Sequence, residues 1–343
     1  MNDVIVIAEA GVNHNGSITL AKQLIDAAVS AGAQIVKFQT FKAASLTTRE
    51  AECAEYQTKN SGAAKSQQEM LKKLELPNAA YLKLKNYCAN KPIEFLSTPF
   101  DDESARFLVN DVGIKRIKIA SGELTNLPFI EYVSKFHKPV ILSTGMSTLE
   151  EVKDAVDILR RQLSKKQITL LHCTTSYPCD FSEVNLHAME TLKKTFGVQV
   201  GYSDHTPGIE VAVAAAALGA TVIEKHITLD RSLPGPDHKA SIEPDELRML
   251  VRSVKNVSQA LGGKEKKPTT SELKMRMVAR KSLVLAQPLS SGTVLKREHL
   301  TAKRPGSGVS PAELKKLLGL KLVVDKDSDD FLQWSDIEKR GNK

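Results

Sequence analysis

The chain has few cysteines for its 343 residues, and none of the four (Cys53, Cys88, Cys173, Cys179) stands in a C-x-x-C spacing. It begins Met1-Asn2-Asp3-Val4-Ile5-Val6-Ile7, with no basic segment leading into a long apolar stretch. Neither a signal peptide nor a membrane span is therefore expected, and scattered thiols without an export signal point to a reducing cytoplasm. No G-x-G-x-x-G follows the first apolar run and no G-x-x-x-x-G-K-[ST] occurs, so dinucleotide and Walker-type nucleotide binding have no support. Aromatic residues interleaved with basic ones, the mark of a nucleic-acid surface, are also missing from the basic tail.

What is present is an ordinary globular composition, 41% apolar and 26% charged, long enough for one large core and a second small domain. The net charge of +8 is unevenly spread. Residues 1–263 carry 30 basic and 30 acidic side chains, whereas residues 264–343 carry 18 and 10. The acidic cluster Asp325–Asp330 argues against nucleic acid as the tail's partner. A small anionic substrate accounts for the excess at least as well.

One unit recurs along the chain. Apolar, β-rich runs occupy Val4–Gly11, Gln34–Thr40, Ile93–Pro99, Arg116–Ser121, Pro139–Thr144, Ile168–Thr174, Val198–His205 and Thr221–Thr228. Amphipathic stretches lie between them, among them Ile18–Ser30, Ser104–Val109, Leu149–Leu163 and Glu210–Leu218, and a long one follows at Pro244–Leu261. Eight such pairs predict a (β/α)8 barrel over residues 1–263, buried on both faces of each strand. The polar segment 264–281 reads as a linker, and 282–343 as a small β-rich domain with one short helix near Pro311–Leu318. The long insertion from Phe41 to about Ala64 is expected to lie over the catalytic face.

Polar residues gather at the carboxyl ends of the runs, where barrel enzymes keep their chemistry. Alternation places Ser203 with His205, Glu224 with His226, and Lys37 with Gln39 on shared strand faces. Lys118 is out of phase with Ser121 and Glu123, so the chain should leave its strand near Ile119. A single strand-end histidine is more often a hydrogen-bonded core residue than a ligand. Two at corresponding ends of adjacent strands, His205 and His226, point to a divalent transition metal with open positions for water and substrate. Lys37 and Lys118, standing among Thr98, Ser121, Ser143 and other hydroxyls, fit an oxyanion clamp better than a Schiff base. Asn13-His14-Asn15-Gly16-Ser17 reads as the cap of the first helix.

At these residues the chain resembles the bacterial sialic acid synthase family. The resemblance rests on Ala8-Glu9-Ala10-Gly11-Val12-Asn13-His14-Asn15-Gly16, Val36-Lys37-Phe38-Gln39-Thr40, Ser97-Thr98-Pro99-Phe100 and Lys118-Ile119-Ala120-Ser121-Gly122-Glu123. It continues through Leu142-Ser143-Thr144-Gly145-Met146, His172-Cys173-Thr174-Thr175-Ser176-Tyr177-Pro178, Tyr202-Ser203-Asp204-His205, Glu224-Lys225-His226 and Pro234-Gly235-Pro236-Asp237-His238. Lys303-Arg304-Pro305-Gly306-Ser307-Gly308 completes it, so it spans essentially the whole chain in order.

The resemblance implies a barrel followed by a small antifreeze-like (SAF) domain. It implies condensation of phosphoenolpyruvate with N-acetylmannosamine to a nine-carbon 2-keto acid and phosphate, by C–O cleavage. The alternative sugars are 2,4-diacetamido-2,4,6-trideoxy hexoses, giving legionaminic or pseudaminic acid. His205 and His226 would hold Mn2+, with Mg2+ or Co2+ as substitutes. Lys37, Thr98, Lys118 and Ser121 would grip the phosphate, joined by Thr175, where some members have Asn. Ser143 and Ser203 would hold the carboxylate of phosphoenolpyruvate. Glu9, Glu123 and Glu224 would move protons, and Tyr177 and Asp237 would face the sugar. Arg304 would enter the partner's site in a domain-swapped homodimer, a cytoplasmic enzyme supplying capsule or lipopolysaccharide sugars. Two other readings are a different aldol-type barrel, including a Lys118 Schiff-base aldolase, and a non-catalytic polyanion binder.

Overall fold

The eight apolar runs become eight strands: β1 (Ile5–Gly11), β2 (Ile35–Thr40), β3 (Glu94–Pro99), β4 (Ile117–Ile119), β5 (Val140–Ser143), β6 (Ile168–His172), β7 (Gln199–Asp204) and β8 (Val222–His226). The computed structural model describes residues 4–54, 57, 58, 60 and 66–339. All neighbouring strands are parallel, hydrogen-bonded in the order β3-β2-β1-β8-β7-β6-β5-β4. The ladder is interrupted only between β3 and β4, which still run beside each other. There Arg116, just before β4, forks onto Glu94 at the start of β3, Nε to Oε1 at 2.9 Å and Nη2 to Oε2 at 3.1 Å. The result is a (β/α)8 barrel.

Period-2 alternation builds the interior. At the amino-terminal end Ile7, Ile35, Leu96, Ile141, Leu171 and Val222 point inward and form a small apolar plug. Two residues further along the same strands, the same inward face carries Glu9, Lys37, Thr98, Ser143, Cys173 and Glu224. The opposite strand faces pack against the surrounding helices in the main core. Local chemistry fixes the helix ends. Ser17 accepts a hydrogen bond from the Leu20 amide to start Ile18–Ala31, which stops at Gly32 with φ of 83°. Thr148 and Glu151 form a capping box at the head of Leu149–Arg160. The helix expected from Ser104 starts instead at Asp102 under an Asp101 cap, and passes into a π-turn over Leu108–Val112.

The insertion after β2 contains the helices Ala43–Leu46 and Gln67–Leu74. Its residues 55, 56, 59 and 61–65 lie outside the described residues. The chain divides into two compact units, Met1–Gly262 and Gly263–Lys343. The second has its own core of Leu283, Leu285, Leu295, Leu317, Leu322 and Leu332. Two antiparallel strands pair over it, β9 (Ser282–Leu285) and β10 (Leu300–Lys303). The runs expected as strands at Thr293–Leu295 and Leu320–Val324 form only isolated bridges, Val294 with Lys321 between the two runs and Leu322 with Ile337 beyond them. The helix expected near Pro311–Leu318 is a 3-10 turn followed by Leu314–Leu317. The segment read as a bare linker carries a helix, Thr270–Ala279, opened by a Thr269–Glu272 capping box and without one buried residue. Among the described residues no helix is long and apolar enough to cross a membrane.

Candidate active site

An open cleft of about 200 Å3 lies at the carboxyl ends of the strands. It is lined by Glu9, Lys37, Thr98, Lys118, Ser121, Ser143, Thr175, Tyr177, Ser203, His205, Glu224, His226 and Asp237. Two expected site residues are not among them. Glu123 sits in the 3-10 turn Ser121–Glu123, where its Oε2 accepts from Asn126 Nδ2 at 2.8 Å. The turn begins at Ser121, two residues after the strand, and takes Glu123 out of the strand's alternating phase. Arg304 is exposed on the second unit, directly after β10.

The floor of the cleft is a buried charge network. Lys37 Nζ lies 2.9 Å from Glu9 Oε2 and 3.6 Å from Glu224 Oε1, and donates to Thr98 Oγ1 at 3.1 Å. Lys118 Nζ donates to Ser143 Oγ at 2.5 Å and lies 3.8 Å from Glu224 Oε1. Ser203 Oγ donates to that same carboxylate oxygen at 3.1 Å, while Glu224 Oε2 has no hydrogen-bond partner. Burial pushes the Glu9 carboxyl up to about 7 against the pull of Lys37. Burial acts on Glu224 in the same sense, yet Lys118 and Lys37 outweigh it and hold that carboxyl below its ordinary range. Lys118 is drawn below the ordinary lysine value by burial and by its neighbour Lys37, against the attraction of Glu224. Lys37 is held above it, because Glu224 and Glu9 overcome the burial cost. Two ammonium groups among strand-end hydroxyls make a cradle for an anion with several oxygens.

Beside the cradle the two imidazoles face each other, ring centroids 5.5 Å apart, with Tyr177 at 4.2 Å from His205 and 5.7 Å from His226. His205 Nδ1 lies 2.7 Å from the Thr174 carbonyl oxygen. A carbonyl only accepts, so Nδ1 carries the proton and Nε2 keeps its lone pair. His226 Nδ1 is buried without a hydrogen-bond partner, 3.8 Å from Asp237 Oδ2. Burial holds both rings below the ordinary histidine value, His226 well below it, so both are neutral near pH 7. Burial also pushes Asp237 up to about 6. Neutral imidazoles, one with an orphaned nitrogen, fit a divalent metal ion. Among the described residues no group of three His, Cys, Asp or Glu side chains is placed to hold a metal ion.

Several positioning features escaped the strand-end pattern. The Asn13–Ser17 motif does more than cap a helix; only Ser17 caps. Asn13 Nδ2 donates to Ile227 O at 2.8 Å and Ser241 Oγ at 2.9 Å, and Asn15 Nδ2 to Pro234 O at 2.9 Å. These bonds tie the first loop to the one carrying Asp237. Asn60 holds that loop from the other side through Gly235 N and Pro236 O, both at 3.2 Å. Behind the histidines, Lys225 Nζ meets Asp204 Oδ2 at 2.7 Å, and both side chains are fully buried. Both residues have the opposite phase to His205 and His226, which was the available signal. Gly145 N donates to Ser121 Oγ at 3.0 Å, and a Cβ at Gly145 would stand 2.2 Å from Thr175 Oγ1, so no larger residue fits.

Comparison with known proteins follows the same boundaries. The NeuB family pattern matches residues 24–266, and the SAF domain matches 280–338. N,N'-diacetyllegionaminic acid synthase of Campylobacter jejuni is 47% identical over 334 residues, covering 97% of this chain and 100% of the relative. Human N-acetylneuraminate-9-phosphate synthase is 34% identical over 340 residues, covering 98% of this chain and 94% of its own length. Among solved structures, the N-acetylneuraminic acid (sialic acid) synthetase of Leptospira borgpetersenii, in complex with citrate, aligns with a TM-score of 0.70 at 36% identity. It covers 80% of this chain and 90% of that one.

Proposed function

This chain belongs to the NeuB family and ends in a SAF domain, and from that premise we propose that it condenses phosphoenolpyruvate with an N-acylated amino sugar. It is a transferase-type synthase of nine-carbon 2-keto sugar acids. One observation carries the reading: the lysine–hydroxyl cradle and the pair of neutral imidazoles open into one cleft. The sugar is ranked differently from the first expectation. Identity of 47% to a diacetyllegionaminic acid synthase, against 34% to an N-acetylneuraminate-9-phosphate synthase, favours a 2,4-diacetamido-2,4,6-trideoxy hexose over N-acetylmannosamine.

In this reading Lys37, Thr98, Lys118, Ser121 and Thr175 take the phosphate of phosphoenolpyruvate, and Ser143 and Ser203 its carboxylate. His205 and His226 would hold Mn2+, or Mg2+ or Co2+ in its place, which when bound supplies Lewis-acid polarisation of the sugar aldehyde. C3 of the enol phosphate attacks that aldehyde carbon, and the aldehyde oxygen takes a proton. Glu224 stands beside the pair and between both lysines; held ionised there, it relays that proton from the Lys118 ammonium and does not carry one of its own. Water then adds at C2, the tetrahedral centre collapses, its C–O bond breaks and phosphate leaves. Glu9 is suited to accept the proton of that water, being in the cleft with a pKa near neutrality; Glu123 is not in the cleft. Tyr177 and Asp237 face the sugar.

The proposal extends to a homodimer in the cytoplasm, with Arg304 of one subunit serving its partner's cleft. The exposed helix Thr270–Ala279 supports an assembly, since Leu273, Met275, Met277 and Val278 are 49–62% exposed and a short helix with no buried face is not stable alone. The test is a substrate panel. Phosphoenolpyruvate is offered with N-acetylmannosamine and with the diacetamido-trideoxy sugars, products are read by mass spectrometry and phosphate release is followed with and without EDTA. Release with the trideoxy sugar, abolished by chelation and restored by Mn2+, is expected. No release with any sugar would sink the synthase reading, and full turnover in EDTA the metal role.

A further inference from the structure

The two halves of the cleft differ in chemistry. Its floor is the charged cradle, whereas one wall of its mouth is apolar: Val12, Met70, Leu71, Leu74 and Phe100. Three of these come from a single helix, Gln67–Leu74, in the insertion after β2. That helix is firmly seated. Met70 and Leu74 are buried, and Leu74 packs with Val12 and Phe41 in a small separate core that includes Leu71 and Phe100. Gln68 Nε2 donates to Thr47 O at 2.8 Å, and Glu75, just after the helix, accepts from the Ala43 amide at 3.0 Å and from Lys42 Nζ at 3.1 Å. The backbone of Gly16, at φ of 74°, passes so close that a Cβ there would stand 2.7 Å from Lys73 O. The wall is a preformed surface rather than a loose loop.

We infer that this helix is the sugar-selecting element, and that its apolar wall accepts an amino sugar ending in a methyl group while disfavouring a hydroxymethyl or a phosphate. The inference rests on the synthase reading above and assigns the specificity within it. A hydroxyl pressed against Met70 and Leu71 would lose its water without gaining a partner. A phosphate would need a cation. Apart from Arg304, which the proposal above brings from the partner subunit, the only cations among the described residues lining the cleft are Lys37 and Lys118, both in the floor against Glu9 and Glu224, so the wall itself offers a phosphate none. A 6-deoxy carbon and the methyl of a second acetamido group ask only for apolar contact, which this wall provides.

The test compares kcat/KM for the diacetamido-trideoxy hexose and for N-acetylmannosamine in the full-length protein, with phosphoenolpyruvate saturating. Wild type should prefer the trideoxy sugar by about 100-fold. Met70→Gln keeps the length and helix propensity of the side chain while making it polar, and Leu71→Gln does so at a partly exposed position. Each should lower the preference about tenfold. Both sugars are measured on one preparation, so a loss of folded protein cancels in the ratio. A ratio unchanged in both variants, or a wild type that prefers the hydroxymethyl sugar, overturns the role of the helix and leaves the synthase reading standing. Absence of phosphate release with every sugar overturns both.

Discussion

Burial decides the charge state of single residues here, and His14 isolates the effect away from the cleft floor. Its Nδ1 accepts from the Gly16 amide at 3.0 Å, and desolvation lowers its pKa from 6.5 to about 4. Protonation therefore favours the unfolded chain. The stability tied to the neutral ring is complete above pH 6.5 and is lost as pH falls toward 4. His14→Gln should flatten that loss by on the order of 2 kcal/mol at pH 4.5, read as the difference in urea midpoints of variant and wild type. His226→Ala should keep the fold and weaken Mn2+ binding at least tenfold by calorimetric titration; unchanged affinity would remove it as a ligand. Residues of this kind were legible because alternation is strict on a strand, so Lys37, Ser203, His205, Glu224 and His226 all face the cleft. The rule fails where the strand ends. Glu123 lies in a 3-10 turn that follows a three-residue strand, and phase arguments no longer apply to it.

Elements are joined by contacts that a linear pattern reveals poorly. The eight strands and the helices beside them were visible from apolar runs bounded by turn residues. The clamp of Asn13, Asn15 and Asn60 on the loop around Asp237 joins segments more than 170 positions apart, and only the fold brings them together. The Asp204–Lys225 pair is the clearest case of such a tie, linking β7 to β8 one residue before each imidazole. Lys225 Nζ also bonds Thr206 O, and Asp204 Oδ1 accepts from the Thr206 amide at 3.0 Å. Removing one partner strands a buried charge, so Lys225→Met should cost about 3–5 kcal/mol in chemical denaturation. Adding Asp204→Asn to it should cost less than the sum of the two single changes.

At the scale of the whole molecule the small unit was legible as a domain, but the Thr270–Ala279 helix was masked by its polar, proline-containing lead-in. Met277→Asp there should shift sedimentation toward monomer if this helix packs against a partner. Mixing Arg304→Ala subunits with Lys118→Met subunits should restore about a quarter of wild-type turnover if Arg304 acts across a twofold dimer, because half of the dimers then hold one complete site. No recovery would count against exchange of the small unit. The interrupted ladder between β3 and β4 has a consequence of its own. Thr98 belongs to β3 and Lys118 to β4, so an anion gripped by both reaches across the one place where backbone amides do not join neighbouring staves. If phosphoenolpyruvate binds there as proposed, it acts as a hoop on the cylinder, and saturating amounts should slow amide hydrogen exchange in Leu96 and Ile117 more than in β7, making the barrel tightest when it is loaded.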